Sequence, residues 1–288
     1  MIKLNQPVYS YAQTMDSCRE GISGNVNLVQ KLNSEIGLLQ VSADSYVALA
    51  PQGELYTLQT IPNHRNCDPI VIGTLKKSEL LKLYGTYFVK SGKPGRRIYN
   101  SLLAAANEMC PFCGGIGRPR NLDHYLPKAH YPQFSVLPLN LVPSCRDCNM
   151  DGKGESFAVN EEEQVIQPYL DNDRYFNEQW VFARYIAGIG AEPGVIEYFV
   201  RPPEHWDDSQ KKRVEKHFND FDLDLRFSKE AGPRLITFLA QIQELTRIPL
   251  ELELAKRTIL QPAIDSASFP NHWERVMCLA LMNELTEQ

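Results

Sequence analysis

Two pairs of cysteines, Cys110-x-x-Cys113 and Cys145-x-x-Cys148, constrain this chain more than any other feature of its sequence. A Cys-x-x-Cys segment bends into a knuckle that presents two thiolates from one turn. Two knuckles supply the four sulfurs of a tetrahedral zinc site, each at about 2.3 Å from the ion. Gly114 and Gly115 stand beside the first pair, where a tight turn is needed. The 31 residues between Cys113 and Cys145 are more than a plain zinc ribbon uses, so an insert is expected between the knuckles. A disulfide framework fits less well, because seven cysteines is an odd number and a chain of 288 residues does not need stapling. Cys18, Cys67 and Cys278 are scattered and are expected to be small buried hydrophobes.

The insert contains Asn121-Leu122-Asp123-His124-Tyr125-Leu126-Pro127-Lys128. Asn140 precedes the second knuckle, Asn149 follows it directly, and Lys153 comes four residues later. This order of Cys-x-x-Cys, Asp-His, Asn, Cys-x-x-Cys-Asn and Lys resembles the HNH family of ββα-metal nucleases over 110–154, about a sixth of the chain. The resemblance implies a zinc-stabilised ββα-metal module with a second, catalytic ion, Mg²⁺ or Mn²⁺. Hydrolysis of a phosphodiester needs a base for the attacking water and a cation for the charge that builds on the phosphoryl and leaving oxygens. The resemblance gives the first task to His124, whose intrinsic pKa suits it. It gives the cation to Asp123, a hard oxygen donor, with Asn149 as second ligand. Adjacent strand residues point to opposite faces, so Asp123 and His124 meet one phosphate only where the strand bends or ends.

Asn149 stands where the family more often has histidine, and this resembles the variant in phage junction-resolving endonucleases. An amide oxygen suits Mg²⁺ better than an imidazole does. Asn140 is expected to pin the loop 126–139 and so orient His124, and Lys153 to touch a flanking phosphate. Four thiolates close the zinc sphere, which leaves zinc a structural role for a module too small to keep its own core. The run 123–143 is similar to HNH proteins of bacterial mobile elements and phage-defence loci, including Septu-type systems, some of which work beside an ATPase partner. Such a partner is expected at the C-terminal helices. Two other readings remain: an RNA-directed nuclease with the same site, and a non-catalytic zinc module that binds nucleic acid or protein.

Charge bears on the substrate. The chain carries a formal charge of -5, which is opposite to what a DNA-binding protein is expected to have. Between residues 71 and 130, however, ten basic side chains face three acidic ones, a local charge of +7 that leaves -12 on the rest. Within this basic zone Arg118, Arg120 and Lys128 are candidate nucleic-acid contacts, alongside Lys153. No apolar run approaches the roughly 20 residues of a membrane span. The start, Met1-Ile2-Lys3-Leu4-Asn5-Gln6-Pro7, lacks a signal-like apolar stretch, so a cytoplasmic protein without membrane contact is expected.

The fold class expected is α+β. It comprises an N-terminal α+β region over 1–94, the nuclease module over 95–160, and a C-terminal region over 161–288 of two strands followed by helices. Residues 45–61 read as two strands around Pro51-Gln52-Gly53. A helix is expected from Ser78 as N-cap through Leu80, Leu81, Tyr84, Tyr87 and Phe88 until Gly92 and Pro94. Another carries Ile98, Leu102, Ala106 and Met109 into Cys110, with Arg96 and Arg97 at its start. Strands are expected over 180–186 and 195–200 around Gly188-Ile189-Gly190. Helices should follow near 208–219, 233–246, 250–260 and 270–286, with Pro249 and Pro270 in first turns. His130, in the loop beside Tyr131-Pro132, is assigned no metal role. His64, His205, His217 and His272 read as surface or packed residues.

Overall fold

The computed structural model describes residues 1–64, 67–190, 194–248 and 250–286. Among them the architecture is α+β, with helices framing three separate two-stranded antiparallel sheets. Helix α1 (Tyr11–Glu20) opens on a reciprocal cap in which the Ser10 hydroxyl accepts from Gln13 N and the Gln13 side chain accepts from Ser10 N. Helix α2 (Val26–Leu49) buries Leu28, Leu32, Leu39, Ala43 and Tyr46. The two strands expected over 45–61 are therefore not formed. The apolar stripe that ends at Tyr46 began eighteen residues earlier with helical spacing, and packing along it overrides the short local alternation. The turn at Pro51 and Gly53 does form, with Gly53 at φ 76°, but it joins α2 to a single 3-10 turn, Leu55–Thr57.

Strands β1 (Ile70–Ile72) and β2 (Leu75–Lys76) make a small hairpin that feeds α3 (Lys77–Lys82). Ser78 lies inside this helix rather than at its cap. Asp68 in the preceding loop accepts from Ser78 N and Ser78 Oγ, both at 2.7 Å. The helix continues as a wider π-type segment, Leu83–Phe88, and α4 (Gly95–Ala104) follows. Ala106 and Met109 fall beyond α4, because Asn107 and Glu108 take left-handed φ of 48° and 61° that a right-handed helix cannot contain. Those two residues turn the chain into Cys110.

Strand β3 (Asn121–His124) pairs with β4 (Leu141–Ser144), setting Asp123 opposite Val142 and His124 opposite Leu141. A π-type helical turn, Asp147–Lys153, follows β4 and lies back across the hairpin. Asn149 Nδ2 donates to Asn121 Oδ1 at 2.9 Å, and Lys153 Nζ donates to the His124 carbonyl at 2.7 Å. From the α3 side, Tyr84 OH donates to the Leu122 carbonyl at 3.2 Å.

The short α5 (Arg174–Asn177) leads to β5 (Val181–Ile186) and β6 (Val195–Val200), a hairpin within a residue of expectation. Helices α6 (Asp208–Asp220), α7 (Leu223–Arg247), α8 (Leu252–Asp265) and α9 (Trp273–Glu284) complete the chain. Helix α7 starts ten residues before the expected 233 and carries Pro233 in its interior. An interior proline costs about 3 kcal/mol; the buried face of Phe227, Ala231, Leu235, Phe238 and Ile242 offsets it. His272 caps α9, so Pro270 precedes the first turn instead of occupying it. Pro249 lies outside the described residues.

The insert does not own a core. Leu122, Leu141 and Val142 of the hairpin belong to one continuous buried cluster with Leu80, Leu83 and Ile98 before it and Phe221 and Phe227 after it. Among the described residues no helix is long and apolar enough to cross a membrane.

Candidate metal centre and active site

The four paired cysteines converge. The Sγ atoms of Cys110, Cys113, Cys145 and Cys148 all lie within 4.8 Å of one another and are buried, with Cys113 and Cys145 at 4.0 Å. Tetrahedral thiolates around zinc stand about 3.8 Å apart, so the cluster can hold a structural zinc ion. The thiols also perturb one another as four crowded acids do. Hydrogen bonds with the other three push the Cys145 thiol down, and the same contacts push Cys148 up. A cation is what lets all four ionise together. Of the remaining cysteines, Cys18 and Cys278 are buried as expected, whereas Cys67 is exposed in a loop.

Two glycines shape the first knuckle. Gly115 adopts φ 92° and donates its N–H to the Cys110 carbonyl at 2.9 Å. Gly117 passes so close to the cluster that a Cβ there would stand 2.4 Å from Cys145 Sγ. The C-terminal helices then seal the centre with two residues that the sequence did not single out for it. Arg226 of α7 donates to Cys148 Sγ at 3.3 Å and to Cys145 Sγ at 3.7 Å. His217 of α6 accepts from Ile166 N at Nδ1, so its proton sits on Nε2, which donates to the Phe112 carbonyl at 2.7 Å. Nothing local in the sequence marks either residue, since both act across about 80 positions or more of chain.

Asp123 and His124 stand at the end of β3, where the chain turns away at Tyr125. Both are 5% exposed. Asp123 Oδ2 is buried without a hydrogen-bond partner, and Lys153 Nζ stands 3.7 Å from it, an ion-pair distance beyond hydrogen-bond reach. Burial raises the Asp123 carboxyl above its usual range against the pull of Lys153, and lowers the Lys153 ammonium against the pull of Asp123. The orphaned carboxylate oxygen of Asp123 is a donor of the kind Mg²⁺ or Mn²⁺ takes, as is the carboxamide oxygen of Asn149, whose amide nitrogen bonds Asn121, two residues before Asp123 on β3. Lys153, expected at a phosphate, is buried against this carboxylate.

His124 Nε2 lies 2.9 Å from the Ser135 carbonyl, which only accepts, so the proton is on Nε2 and Nδ1 carries the lone pair. The Tyr84 ring packs edge-on at 4.3 Å. Burial, with Lys128 adding to it, lowers the imidazole pKa to about 3, well below the near-neutral value the sequence suggested. The ring is thus neutral over the physiological range.

Asn140 is fully buried. Its Oδ1 accepts from Leu126 N at 2.7 Å, and its Nδ2 donates to the carbonyls of Leu126 at 3.0 Å and Phe134 at 3.2 Å. These bonds span the loop that carries Ser135. Arg118 and Arg120 are exposed just before β3, and Lys128 is exposed just after it. His130 is half-buried against Phe157, with ring centroids 4.7 Å apart.

No family model and no solved structure matches the chain. An 84-residue stretch, 28% of this chain, is 33% identical to the Septu protein PtuB of Bacillus thuringiensis and covers 31% of that protein. Protein ea31 of Escherichia phage lambda is 38% identical over 295 residues, spanning 98% of this chain and 97% of that one. Similarity of that degree along essentially the full length of both proteins places this α+β chain with its buried four-cysteine centre in the family of the phage lambda protein ea31.

Proposed function

We propose that the protein is an HNH endonuclease that hydrolyses phosphodiester bonds in DNA. One observation carries the reading. At the end of β3 a buried carboxylate with an unpartnered oxygen adjoins an imidazole whose tautomer leaves its Nδ1 lone pair open, beside the four-thiolate cluster. When bound by Asp123 and Asn149, Mg²⁺ or Mn²⁺ supplies positive charge for the oxygens that become anionic during hydrolysis.

In this reading His124 Nδ1 takes the proton of the attacking water. A ring with a pKa near 3 is a weak base alone, and the phosphodiester anion beside it strengthens it by favouring the imidazolium. The Ser135 carbonyl holds the ring's other nitrogen, so the base cannot rotate away. Asn140 holds the loop that holds Ser135. Arg118, Arg120 and Lys128 engage flanking phosphates from the solvent side, while Lys153 keeps Asp123 in place from within. The partial similarity to a Septu protein supports a partner within a phage-defence system, and an ATPase partner and a cytoplasmic setting belong to the same proposal.

The test is incubation of the purified protein with supercoiled plasmid, linear DNA and RNA in Mg²⁺, Mn²⁺ or EDTA, beside His124→Ala. Cleavage of DNA that needs the divalent ion and falls at least about 100-fold in the variant, with zinc content intact, is expected. Cleavage confined to RNA moves the substrate assignment. An equally active His124→Ala removes the base. Co-purification from the native host reads out the partner.

A further inference from the structure

One wall of the candidate site is basic and carries no acid of its own. Residues 80–107 hold five basic side chains and no acidic one. The π-type segment Leu83–Phe88 lies within this stretch and packs against the site. Its Tyr84 ring lies edge-on to His124. Just before it, the Leu80 carbonyl accepts at 2.8 Å from the hydroxyl of Ser135, the residue whose carbonyl holds the imidazole. Widened helical turns of this type frequently mark functional sites. A cation stands at each end of the segment. Lys128 Nζ lies 5.5 Å from the centre of the Tyr84 ring, without an ion pair among the described residues, and both Asp123 and His124 feel its charge. At the other end, Arg96 Nη1 donates to the Val89 carbonyl at 2.6 Å, Nε donates to Asn100 Oδ1 at 2.9 Å, and the guanidinium sits 4.5 Å from the Tyr99 ring. Neither acceptor is charged, and Nη2 has no partner among the described residues, so the positive charge is fixed in place and not neutralised. Arg96 also acts on the Tyr84 phenol, which brings both cations to the surroundings of one ring.

Between Tyr84 and Val89 the exposed residue is Gly85. It takes no left-handed φ, and a Cβ built on it would meet nothing within 4 Å. Glycine weakens a helical segment, and here neither backbone conformation nor crowding within the protein calls for it. What a missing side chain at an open position allows is close approach by another backbone. We infer that the face at Gly85 seats the sugar-phosphate backbone of the DNA strand that enters the candidate site, with Lys128 and Arg96 on phosphates to either side. Contacts of this kind fix the position and direction of a strand without reading its sequence. The inference rests on the nuclease reading, but its evidence is binding, which is measurable with cleavage shut off.

Binding of a short fluorescein-labelled DNA duplex to the full chain is followed by anisotropy without added Mg²⁺ or Mn²⁺, over a series of KCl concentrations. Arg96→Gln and Lys128→Gln should each weaken binding about fivefold and reduce its salt dependence by about one phosphate contact. Gly85→Gln puts a side chain on the face and favours the helical state, so binding should weaken at least about fivefold while the melting temperature holds or rises. Arg257→Gln, an exposed position on α8, removes the same net charge far along the chain and should bind as the wild type does. The inference is overturned if the wild type binds no duplex, if Gly85→Gln binds equally well or melts lower, or if Arg257→Gln weakens binding as much as Arg96→Gln. Binding that follows the expected pattern in a protein that cleaves no DNA with Mg²⁺ or Mn²⁺ supports the strand path and overturns the nuclease reading instead.

Discussion

Lys153 Nζ and Asp123 Oδ2 stand 3.7 Å apart with both side chains almost completely buried, and the ammonium pulls on this carboxylate more strongly than Lys128 does. Removing one partner of a buried ion pair costs about 3–5 kcal/mol. Lys153→Met should therefore lower stability by about 3 kcal/mol in urea unfolding. A divalent ion that binds Asp123 stabilises the folded state by mass action. Mg²⁺ should raise the melting temperature of the wild type, raise that of Lys153→Met further, and leave Asp123→Asn unmoved. A Mg²⁺ shift that persists in Asp123→Asn would falsify the ligand assignment.

Asn140 is a second point where stability and geometry can be separated. Asn140→Ala leaves Leu126 N and the Leu126 carbonyl buried and unpaired and leaves the Phe134 carbonyl with the Leu137 N–H as its donor. Unmade bonds of this kind cost about 1–3 kcal/mol each, so a loss of about 3 kcal/mol is expected in urea unfolding. Because Ser135 follows Phe134, the carbonyl that orients His124 moves with the loop, and misplacement by about 1 Å can cost 100-fold in rate. Cleavage by the folded variant, measured well below its melting temperature, should fall at least about tenfold. Full cleavage activity in a destabilised Asn140→Ala would confine Asn140 to the fold.

Arg226 reaches Cys145 and Cys148 from α7, so the C-terminal helices contact the four-thiolate centre directly. Four thiolates around Zn²⁺ leave two negative charges, and a guanidinium at hydrogen-bond distance offsets part of that charge. Groups in this position typically change metal affinity by about 10- to 100-fold. Arg226→Met should release zinc to a chromogenic chelator on the order of tenfold faster than wild type, with Arg226→Lys between the two. Release at the wild-type rate would make Arg226 a packing residue.

The contrast between these residues shows what the sequence could disclose. The cysteine pairs were legible because a metal site writes its geometry into spacing: two residues inside each knuckle, then a long insert. The β5–β6 hairpin was legible from alternation and a glycine turn, both local signals. Residues 45–61 misled because local alternation competes with a helical stripe that only a longer window reveals. The start of α7 was missed because a proline reads as a first-turn residue, and the packing that tolerates Pro233 within the helix is tertiary. At the candidate site residue types could be named, but not their environment. Burial that drives His124 far below neutrality, turns Lys153 inward and brings Arg226 and His217 to the knuckles depends on segments far apart in the chain.

His217 allows the same argument to be tested through pH. Burial lowers its pKa from 6.5 to about 3, against the Phe112 carbonyl bond and with Arg213 one turn back adding to the shift. The folded ring stays neutral where the unfolded ring is protonated, so between about pH 6.5 and 3 the unfolded state binds more protons and stability rises with pH. This contribution is fully present above 6.5 and is lost progressively as the pH falls toward 3. A single such group changes stability by at most about 1.4 kcal/mol per pH unit inside the window. His217→Gln keeps a donor and an acceptor but cannot titrate. In urea unfolding at pH 7, 6 and 5 the wild type should therefore lose stability more steeply than His217→Gln, by up to about that slope. Zinc loss on acidification acts on both proteins alike and cancels in the comparison. Parallel pH profiles would mean that His217 is protonated in the folded protein, and its bond to the first knuckle would then need a different account.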